Sequence, residues 1–457
     1  MADSRFGAGS TVLVCGAGLA GQSMSYALLA RGSTVLVADR ADSAAVARLV
    51  AAGARFVGSP GVVPDGVDQV ATSPGWRPEH PLLVDACERG LEVIGEIELA
   101  WRLRRPGAAP WLTVTGTNGK TTTVRMLESI LRASGRRALA VGNVGVSIVD
   151  AVLAEKPYDV LAVELSSFQL HWSSTVRAQA GALLNVAPDH LDWHGSMAAY
   201  TATKARVWSG PVAIGNADDP TVARLLAGAQ VRTRIGCTLG APGRGELGVE
   251  DGTLVDHAFA AEPVEVLAAT LVRPPGEHNV ANALAAAALA RAHGVSAGDV
   301  AAGLRAFVPD PHRNQFLLER AGVGYVDDSK ATNAHAALAS LRGYQRVVWI
   351  AGGQLKDAPV EALIAAVADR LAGVVLLGAD RAVIAAAVRR HAPDVPVIDV
   401  SSTDHGAMTE VVRTAAGLAR PGDTVLLAPA AASYDMFTGY AARGAAFEAA
   451  VRALDQS

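Results

Sequence analysis

The chain has 457 residues and a formal net charge of −4, which excludes nucleic-acid-binding and membrane-surface proteins, because a strongly basic field holds those partners. At about 100–200 residues per domain, the length predicts two to four domains. The three cysteines have no metal-ligand spacing, and no apolar leader or bilayer-length span is visible, so we expect a cytoplasmic protein without disulfides or zinc.

The first part of the chain alternates between strand and helix patterns. The apolar runs Thr11–Val14 and Thr34–Asp39 flank a helical pattern, as in a βαβ unit. A further strand is predicted at Gln69–Thr72, followed by the turn Ser73–Gly75. The basic run Arg102–Arg105 comes next, and we expect it to be a solvated part of the connection to the second unit.

Two more α/β units follow along the chain. In the second unit, Trp111–Thr115 is a predicted strand, Thr122–Ala133 a predicted helix, and Gly236–Ala269 a predicted β-rich insert that an alanine-rich helix follows. The remaining strands of both units are predicted at Asp159–Val163, Gly181–Asn185, Val347–Ile350, Val374–Leu377 and Thr424–Ala428. This order predicts an α/β protein with parallel, doubly wound sheets whose ligands bind at the carboxyl ends of the strands.

The segment Gly116–Thr121, with the sequence GTNGKT, predicts an ATP site. Its two glycines allow the backbone to curl so that N–H groups point at phosphate oxygens. Lys120 supplies a cation for the β- and γ-phosphates, and Thr121 offers a hydroxyl group to Mg²⁺. The strand before the loop and the helix after it supply the context that this motif requires.

A second glycine-rich segment, Gly16–Gly21, has the spacing GxGxxG after the first strand, and Asp39 ends the next strand. This pattern is typical of a nicotinamide dinucleotide site. Its physical content is only that a phosphate-bearing ligand can approach the start of a helix, so a uridine diphosphate fits equally well. Both alternatives stay open at this point.

Polar side chains also follow the later strands. Glu164 ends a strand and can hold Mg²⁺, and His190 in the loop Asn185–Asp192 can bind Mg²⁺ through a neutral ring nitrogen. Lys204 lies on the next helix, and Asp327–Asn333 can bind a ribose, a phosphate or a carboxylate. The alternatives are a strand-end acid, a surface histidine, a solvated lysine and an Asx-rich turn.

Taken together, the motifs resemble those of the Mur ligase family over nearly the whole chain. The resemblance rests on Gly116–Thr122, Glu164–Gln169 (ELSSFQ), Asn185–Asp192, Gly276–Asn282, Pro311–Arg313, Asp328–Asn333 (DSKATN) and Ala428–Phe437. It implies a Rossmann-like UDP-sugar-binding domain at residues 1–96, a central P-loop ATPase-like domain at 97–309, and a Rossmann-like C-terminal domain at 310–457.

ELSSFQ and DSKATN resemble the members that add D-glutamate to UDP-N-acetylmuramoyl-L-alanine. The implied reaction uses ATP, passes through an acyl phosphate, and serves peptidoglycan precursor synthesis in the cytoplasm. The resemblance makes Lys120, His190 and Lys204 catalytic. It also implies two Mg²⁺ ions held by Thr121, Glu164, His190 and Lys204, with Lys204 carbamylated. We expect a monomer that neither enters a membrane nor binds nucleic acid.

The resemblance also implies the binding residues. For ATP they are Gly116, Thr117, Asn118, Gly119, Lys120, Thr121, Thr122, Asn279, Asn282, Arg313, Asp328 and Lys330. For the UDP sugar and its reacting carboxylate they are Gly18, Leu19, Asp39, Arg40, Ser73, Gly75, Asn143 and Ser166. For D-glutamate they are Thr332, Lys356, Ser433 and Tyr440, and Thr332 and Lys330 are expected where ATP meets the amino acid.

Some positions depart from the family pattern, namely Ala20, Arg40, Asn314, Gln315 and Tyr440. None of these departures removes a predicted metal ligand or phosphate cation. Two competing hypotheses remain at this stage. One is a nicotinamide-dependent oxidoreductase built on Gly16–Gly21, and the other is a sister ligase, or one that accepts L-glutamate.

Overall fold

The computed structural model describes residues 5–356, 358–402 and 406–454. The chain forms two compact units, one made of Met1–Ala269 and Ala281–Phe307 and the other of Thr270–Val280 and Val308–Ser457. Three sheets rich in parallel strands account for the strand content of the described residues. The predicted α/β class is therefore confirmed, with a Rossmann-like sheet at each end of the chain and a P-loop ATPase-like sheet between them.

The N-terminal sheet is entirely parallel. Its strands are β1 (Thr11–Cys15), β2 (Thr34–Ala38), β3 (Arg55–Phe56), β4 (Gln69–Thr72) and β5 (Glu92–Gly95). Its helices are α1 (Leu19–Ala30), α2 (Ala44–Ala51), α3 (Pro81–Glu88) and α4 (Glu96–Leu103). The strand order is β3-β2-β1-β4-β5, so the order reverses between β1 and β4, where a doubly wound sheet opens a ligand crevice.

The central sheet carries the predicted ATP loop. Its strands are β6 (Trp111–Thr115), β7 (Ala138–Gly142), β8 (Val160–Glu164), β9 (Ala180–Leu183), β10 (Val212–Asn216), β11 (Thr233–Cys237), β12 (Glu246–Glu250), β13 (Thr253–Asp256) and β14 (Val264–Ala268). Their order is β14-β13-β12-β11-β10-β9-β6-β8-β7. Strands β12, β13 and β14 pair antiparallel, which confirms the predicted β-rich insert.

The helices of this middle part lie between its parallel strands, except for two that follow its last strand. They are α5 (Lys120–Ala133), α6 (Ile148–Leu153), α7 (Ser167–His171), α8 (Leu191–His194), α9 (Met197–Ala205), α10 (Pro220–Gly228), α11 (Glu277–Ala292) and α12 (Ala297–Ala306). Helix α5 begins at Lys120, two residues before the predicted start, because the helix takes up the end of the phosphate loop.

The C-terminal sheet is parallel except at one edge. Its strands are β15 (Gln315–Arg320), β16 (Val323–Asp327), β17 (Val347–Gly352), β18 (Leu371–Leu377), β19 (Val397–Asp399) and β20 (Thr424–Leu427), in the order β15-β16-β20-β17-β18-β19. Its helices are α13 (Ala334–Arg342), α14 (Glu361–Ala365), α15 (Arg381–His391), α16 (Ala407–Leu418) and α17 (Tyr440–Ala453). Only β15 runs antiparallel to its neighbour.

Central strands are buried on both faces, which explains why they are continuous apolar runs in the sequence. Every residue of β6, β8 and β17 is buried. Each unit has hydrophobic clusters of its own, with Trp111 in the first unit and Trp349 in the second, both fully buried. The cores support the sheets from both faces and leave the carboxyl ends of the strands for function.

Arg102 is not the solvated residue that the basic run predicts. It lies on α4 and is buried, with its Nε atom 2.7 Å from Oε1 of Glu98 and its guanidinium also paired with Glu92. Glu98 further accepts hydrogen bonds from the backbone N–H groups of Ser174 and Thr175. A buried arginine needs this set of acceptors, and of them the helical spacing signals only Glu98, four residues earlier on the same helix.

Across the described residues, no helix is both long and apolar enough to span a lipid bilayer.

Candidate active site

The predicted ATP loop lies between β6 and α5, at the carboxyl end of a central strand. Gly119 precedes α5 with φ +84°, in the left-handed region that favours glycine. A Cβ atom at this position would lie 2.3 Å from Oδ1 of Asn282, so glycine also lets that amide approach the loop. The first turn of α5 contains Lys120, Thr121 and Thr122, and the N–H groups of a first helical turn suit phosphate oxygens.

Two lysine side chains converge on the carbonyl oxygen of Gly116. Lys120 Nζ donates to this oxygen at 2.8 Å, and Lys204 Nζ, from α9, donates to it at 2.7 Å. Lys120 Nζ also donates to the carbonyl oxygen of Thr117 at 2.9 Å. Two ammonium groups that share one acceptor repel each other, so the geometry favours loss of charge at one of them.

Lys204 is the lysine whose charge is disfavoured. Its side chain is buried, with a relative exposure of 1%. Burial, reinforced by the nearby charge of Lys120, holds the pKa of Lys204 well below its usual range. Its Nζ atom also lies 4.7 Å from the centre of the Tyr200 ring. A neutral lysine amine is nucleophilic, whereas an ammonium group is not.

The loop is tied to the segment that follows β9. The backbone N–H of Asn118 donates to Oδ1 of Asn185 at 2.8 Å, and the amide of Asn185 donates back to the carbonyl oxygen of Asn118 at 3.1 Å. The Thr117 hydroxyl accepts from the N–H of Ala187 at 3.0 Å and lies 3.2 Å from the Tyr200 hydroxyl. These bonds connect the phosphate loop to the segment after β9 and to α9.

Glu164 ends β8 beside the loop, as predicted, and its side chain is buried. Its Oε1 atom accepts a hydrogen bond from the Asn143 amide at 2.8 Å. Its Oε2 atom is buried and has no hydrogen-bond partner among the described residues. A buried carboxylate oxygen without a donor is costly unless a cation binds it. Ser166 caps α7 in a capping box with Gln169.

His190 lies at the start of α8 with φ +51°. Its ring stands 4.8 Å from the ring of Phe168, centre to centre, and Phe168 also contacts Trp193 and His194. Burial and the nearby lysines Lys120 and Lys204 lower the pKa of His190, against the opposing charge of Asp189. The imidazole is therefore neutral at pH 7, the form that binds a metal ion.

The residues present fit Mg²⁺ only as part of a mixed ligand set. No group of three or more His, Cys, Asp or Glu side chains gathers in the part of the chain that the structure describes. Mg²⁺ binds in proteins through one or two carboxylates together with phosphates and waters. The unpartnered Oε2 atom of Glu164 can supply one such carboxylate ligand. Thr121, the last residue of the phosphate loop, lies in the first turn of α5.

The predicted UDP-sugar residues gather at the carboxyl ends of β1, β2 and β4. Gly18 precedes α1, and Leu19 is 64% exposed. Oδ2 of Asp39 accepts a hydrogen bond from the N–H of Ala17 at 2.7 Å, so this carboxylate supports the glycine loop from behind. The Ser73 hydroxyl is buried without a partner among the described residues. Arg40 and Gly75 are exposed at the same end of the sheet.

In the second unit, the predicted nucleotide residues lie around the start of the β15 segment and the end of β16. Asp328 accepts a hydrogen bond from the N–H of Asn314 at 3.1 Å, and burial raises its pKa to about 6. Arg313 Nε lies 4.0 Å from Oδ2 of Asp310. Asn279 donates through its side-chain amide to the carbonyl oxygen of Pro275 at 3.3 Å.

The residues predicted for D-glutamate follow three neighbouring strands of the C-terminal sheet. Thr332 comes after β16, Lys356 after β17 and Ser433 after β20. Tyr440 begins α17, and its ring centre lies 4.1 Å from Nζ of Lys330. Because the three strands are parallel neighbours, their carboxyl ends bring these side chains to one edge of the sheet.

Sequence reasoning missed Arg443, which organises that edge. Its side chain is buried, with a relative exposure of 1%. It donates to the carbonyl oxygens of Ser329 at 2.9 Å, Ala431 at 3.1 Å and Gly352 at 3.3 Å. Ser329 follows β16, Ala431 follows β20, and Gly352 ends β17. In the sequence it stands within an alanine-rich helical pattern, where no neighbouring residue signals this role.

A second missed feature is the pair His312 and Asp327. Nδ1 of His312 lies 2.6 Å from Oδ2 of Asp327, and Asp327 is fully buried. A Cβ atom on Gly444 would lie 2.3 Å from Nδ1 of His312, so a glycine on α17 makes room for the pair. The sequence motif Pro311–Arg313 predicts a role for Arg313 only. The hydrogen bond between His312 and Asp327 connects this motif to the end of β16.

Comparisons with known proteins identify the family of the chain. The profile of the Mur ligase middle domain matches residues 114–290, and that of the Mur ligase glutamate ligase domain matches residues 312–431. The chain is 55% identical to the UDP-N-acetylmuramoylalanine–D-glutamate ligase of Thermobifida fusca, over 98% of this chain and 99% of that protein. It is 53% identical to the protein of the same name from Streptomyces avermitilis, over 98% of each chain.

Solved structures show the fold as well. The chain is similar to a UDP-N-acetylmuramate–alanine ligase from Thermotoga maritima, with a TM-score of 0.57 and 17% identity over 97% of this chain and 99% of that one. It is also similar to a pseudomurein peptide ligase type C from Methanothermus fervidus, with a TM-score of 0.56 and 20% identity over 92% and 96% of the two chains.

Proposed function

The chain belongs to the Mur ligase family, and we propose that it is the ATP-dependent ligase that joins D-glutamate to UDP-N-acetylmuramoyl-L-alanine in peptidoglycan precursor synthesis. The observation that carries the proposal is the meeting of Lys120 and Lys204 on the Gly116 carbonyl, beside the buried carboxylate of Glu164. A phosphate loop alone binds nucleotides in many enzymes. A second, buried lysine beside it, whose pKa is held well below its usual range, supports the chemistry of this family.

The reaction must bring together two anions, a carboxylate and ATP. An oxygen of the substrate carboxylate attacks the γ-phosphorus of ATP, the bond to the bridging oxygen breaks, and ADP leaves. The amine of D-glutamate then attacks the acyl carbon. The tetrahedral intermediate that results expels phosphate, and the nitrogen loses a proton. Lys120 screens the repulsion in the first step because its cation sits at the phosphate loop.

We propose that Thr121 and Glu164 hold one Mg²⁺ ion and that His190 and Lys204 organise a second. The unpartnered Oε2 atom of Glu164 and the neutral imidazole of His190 support this assignment. Bound Mg²⁺ supplies positive charge that screens the phosphates and the substrate carboxylate. The protein side chains orient the phosphate chain relative to the carboxylate and exclude water from it.

Lys204 fits the role of a carbamylated residue. The neutral amine attacks the carbon of CO₂, a carbon–nitrogen bond forms, and one proton passes to water. The product is an anionic carbamate, which can bind a cation and which removes the like-charge conflict with Lys120. The depressed pKa and near-complete burial of Lys204 support this proposal, since an exposed lysine would remain protonated.

The other predicted residues divide between the substrates. We propose that the N-terminal sheet binds the UDP sugar through Gly18, Leu19, Asp39, Arg40, Ser73 and Gly75, with Asn143 and Ser166 near the reacting carboxylate. We assign Asn279, Asn282, Arg313, Asp328 and Lys330 to ATP, and Thr332, Lys356, Ser433 and Tyr440 to D-glutamate. Asp39 supports the glycine loop by accepting a hydrogen bond from the N–H of Ala17.

The setting of the reaction is also part of the proposal. We propose domain bounds of 1–96, 97–309 and 310–457, a cytoplasmic location, and a monomer in solution. The thiols of Cys15, Cys87 and Cys237 are free, as is usual for cysteines in a reducing compartment. The molar mass of the purified protein, measured by light scattering, tests this oligomeric state. The mass of a dimer would contradict it.

Phosphate release in the presence of ATP and Mg²⁺ tests the function. We expect release that requires UDP-N-acetylmuramoyl-L-alanine and D-glutamate together. L-glutamate, L-alanine and diaminopimelate serve as comparison acceptors. Equal rates with L-glutamate would contradict the assignment to D-glutamate. Quenching of protein fluorescence by micromolar NADH, without ligase turnover, would instead establish the oxidoreductase alternative.

A further inference from the structure

Asp380 occupies the position before α15 but does not cap that helix. An aspartate at this position usually accepts a hydrogen bond from an N–H group of the first helical turn. In the described part of the chain, no such bond reaches the Asp380 side chain. Its Oδ2 atom instead accepts from the backbone N–H of Leu355 at 2.7 Å. The carboxylate of Asp380, which follows β18, therefore bonds the loop that follows the neighbouring strand β17.

That loop carries Lys356, the lysine assigned to D-glutamate. Lys356 has φ +54°, a left-handed backbone conformation that side chains other than glycine rarely adopt. Such a conformation persists only where the surrounding structure holds it. Asp380 bonds the residue immediately before Lys356, so it contributes directly to holding this backbone in place.

The rest of the loop is held by backbone contacts. The N–H of Gln354 donates to the carbonyl oxygen of Ala432 at 2.8 Å, and the N–H of Ala432 donates back at 2.9 Å. The N–H of Asp380 donates to the carbonyl oxygen of Gly353 at 3.0 Å. The three residues before Lys356 thus each have a partner outside the loop, and Asp380 supplies two of these contacts.

We propose that Asp380 is a positioning residue for Lys356 and, through it, sets the affinity of the enzyme for the carboxylate-bearing acceptor amino acid. The inference rests on the proposed function, which places the acceptor at Lys356. Loss of the bond to Leu355 frees the backbone before Lys356 to leave the left-handed region. The ammonium group then spends less time where it meets the acceptor carboxylate, and a displacement of about 1 Å is enough to weaken such a contact.

The variant Asp380→Ala tests the proposal by steady-state phosphate release. We expect KM for D-glutamate to rise about tenfold, since positioning is lost and the lysine is kept. KM values for ATP and for UDP-N-acetylmuramoyl-L-alanine should stay within about twofold of wild type. Asp380→Asn keeps an acceptor oxygen at the same place and should restore most of the affinity. If Asp380→Ala does not fold, Asp380→Ser, whose hydroxyl is shorter, takes its place with the same expectation.

Asp399→Ala is the matched control. Asp399 is an acidic residue near the same helix that pairs with Nε of Arg381 at 2.7 Å, and it does not bond the loop of Lys356. It should leave all three KM values unchanged. A uniform change of every KM with Asp380→Ala, or equal effects of Asp380→Ala and Asp399→Ala, would show a general structural role and overturn the proposal.

A double-mutant cycle separates this inference from the proposed function. If Asp380 acts through Lys356, adding Asp380→Ala to Lys356→Ala should have no further effect on KM for D-glutamate. Additive effects would overturn the positioning role. If Lys356→Ala alone leaves KM for D-glutamate unchanged, the assignment of the acceptor to Lys356 fails, whatever Asp380 does.

Discussion

At the scale of single residues, charge and burial decide the chemistry of the phosphate loop. Lys120 and Lys204 share one carbonyl acceptor, yet they differ in surroundings. Lys204 is enclosed on α9 beside Tyr200, whereas Lys120 lies partly exposed at the loop. Two identical side chains thereby differ in electrostatics, because burial and the charge of Lys120 disfavour the charged form of Lys204.

Lys204→Ala should reduce turnover by about 10² or more, because it removes the group that would become the carbamate. Acetate or another small carboxylate should restore part of the activity by taking the place of that anion. The measurement is phosphate release with and without the added acid. Tyr200→Phe is the control, since it keeps the ring beside Lys204 and should not respond to acetate. Full activity of Lys204→Ala without acetate would contradict the carbamate role.

His194 is expected to make the stability of the folded chain depend on pH. Burial lowers its pKa to about 4, so the unfolded chain, with a pKa near 6.5, binds a proton first as the pH falls. The stability that neutral His194 contributes is complete above pH 6.5 and is lost as the pH falls toward 4. Thermal melts between pH 7.5 and 4.5 should show a shallower loss for His194→Gln than for wild type.

The control for this experiment is Ser167→Ala. Its hydroxyl lies 2.9 Å from Nε2 of His194, so the variant removes the contact but keeps the ionisable ring, and the slope with pH should remain. Identical pH slopes for wild type and His194→Gln would contradict the prediction.

At the scale of elements, the function depends on where strands end and helices begin. Most of the predicted site segments follow the carboxyl end of a parallel strand, whereas Gly276–Asn282 and Pro311–Arg313 do not. The N-terminal glycine loop, the phosphate loop and the loops after β16, β17 and β20 repeat this arrangement. Side chains from other elements hold such loops: Asn185 bonds Asn118, and Arg443 of α17 bonds the carbonyl oxygens of Ser329 and Ala431.

Two glycines next to α5 offer a matched pair of substitutions. Gly119 and Gly135 have similar backbone angles, with φ +84° and +80°. A Cβ atom on Gly135 would meet open space, whereas one on Gly119 would strike Asn282 at 2.3 Å. Gly135→Ala should cost about 1 kcal/mol of stability and keep nucleotide binding. Gly119→Ala should weaken ATP binding at least tenfold by calorimetry, and wild-type affinity would contradict this.

At the scale of the whole molecule, the chain has two units with separate cores. Six of the seven tryptophans belong to the first unit, and Trp349 belongs to the second. Among the described residues, the cluster around Trp111 lies within the first unit and the cluster around Trp349 within the second. A chain of this kind departs from two-state unfolding.

Trp349→Phe turns tryptophan fluorescence into a probe of the first unit alone. In this variant, we expect denaturation followed by fluorescence to show one transition, and far-UV circular dichroism to show two. The substitution should also lower the midpoint of only one dichroism transition, because it shrinks a side chain in one core. Coincident transitions by both probes would contradict separate unfolding.

The sequence by itself determined the α/β class, the phosphate loop and the segments proposed to carry the site. Glycine spacing, strand-ending acids and apolar runs are local features, and local backbone physics suffices to interpret them. The sequence pointed to Lys204 as a site residue only through the family resemblance, because nothing in the residue pattern of α9 distinguishes a buried lysine from a solvated one.

The tertiary structure decided which charges are shared and which loops are held. It buried Arg102 beside Glu98, brought Lys204 to the Gly116 carbonyl, left an oxygen of Glu164 without a donor, and directed Asp380 to the loop of Lys356. Each of these contacts joins residues whose environment depends on packing between elements. Burial and pKa are properties of that packing, so they become visible only when the chain is folded.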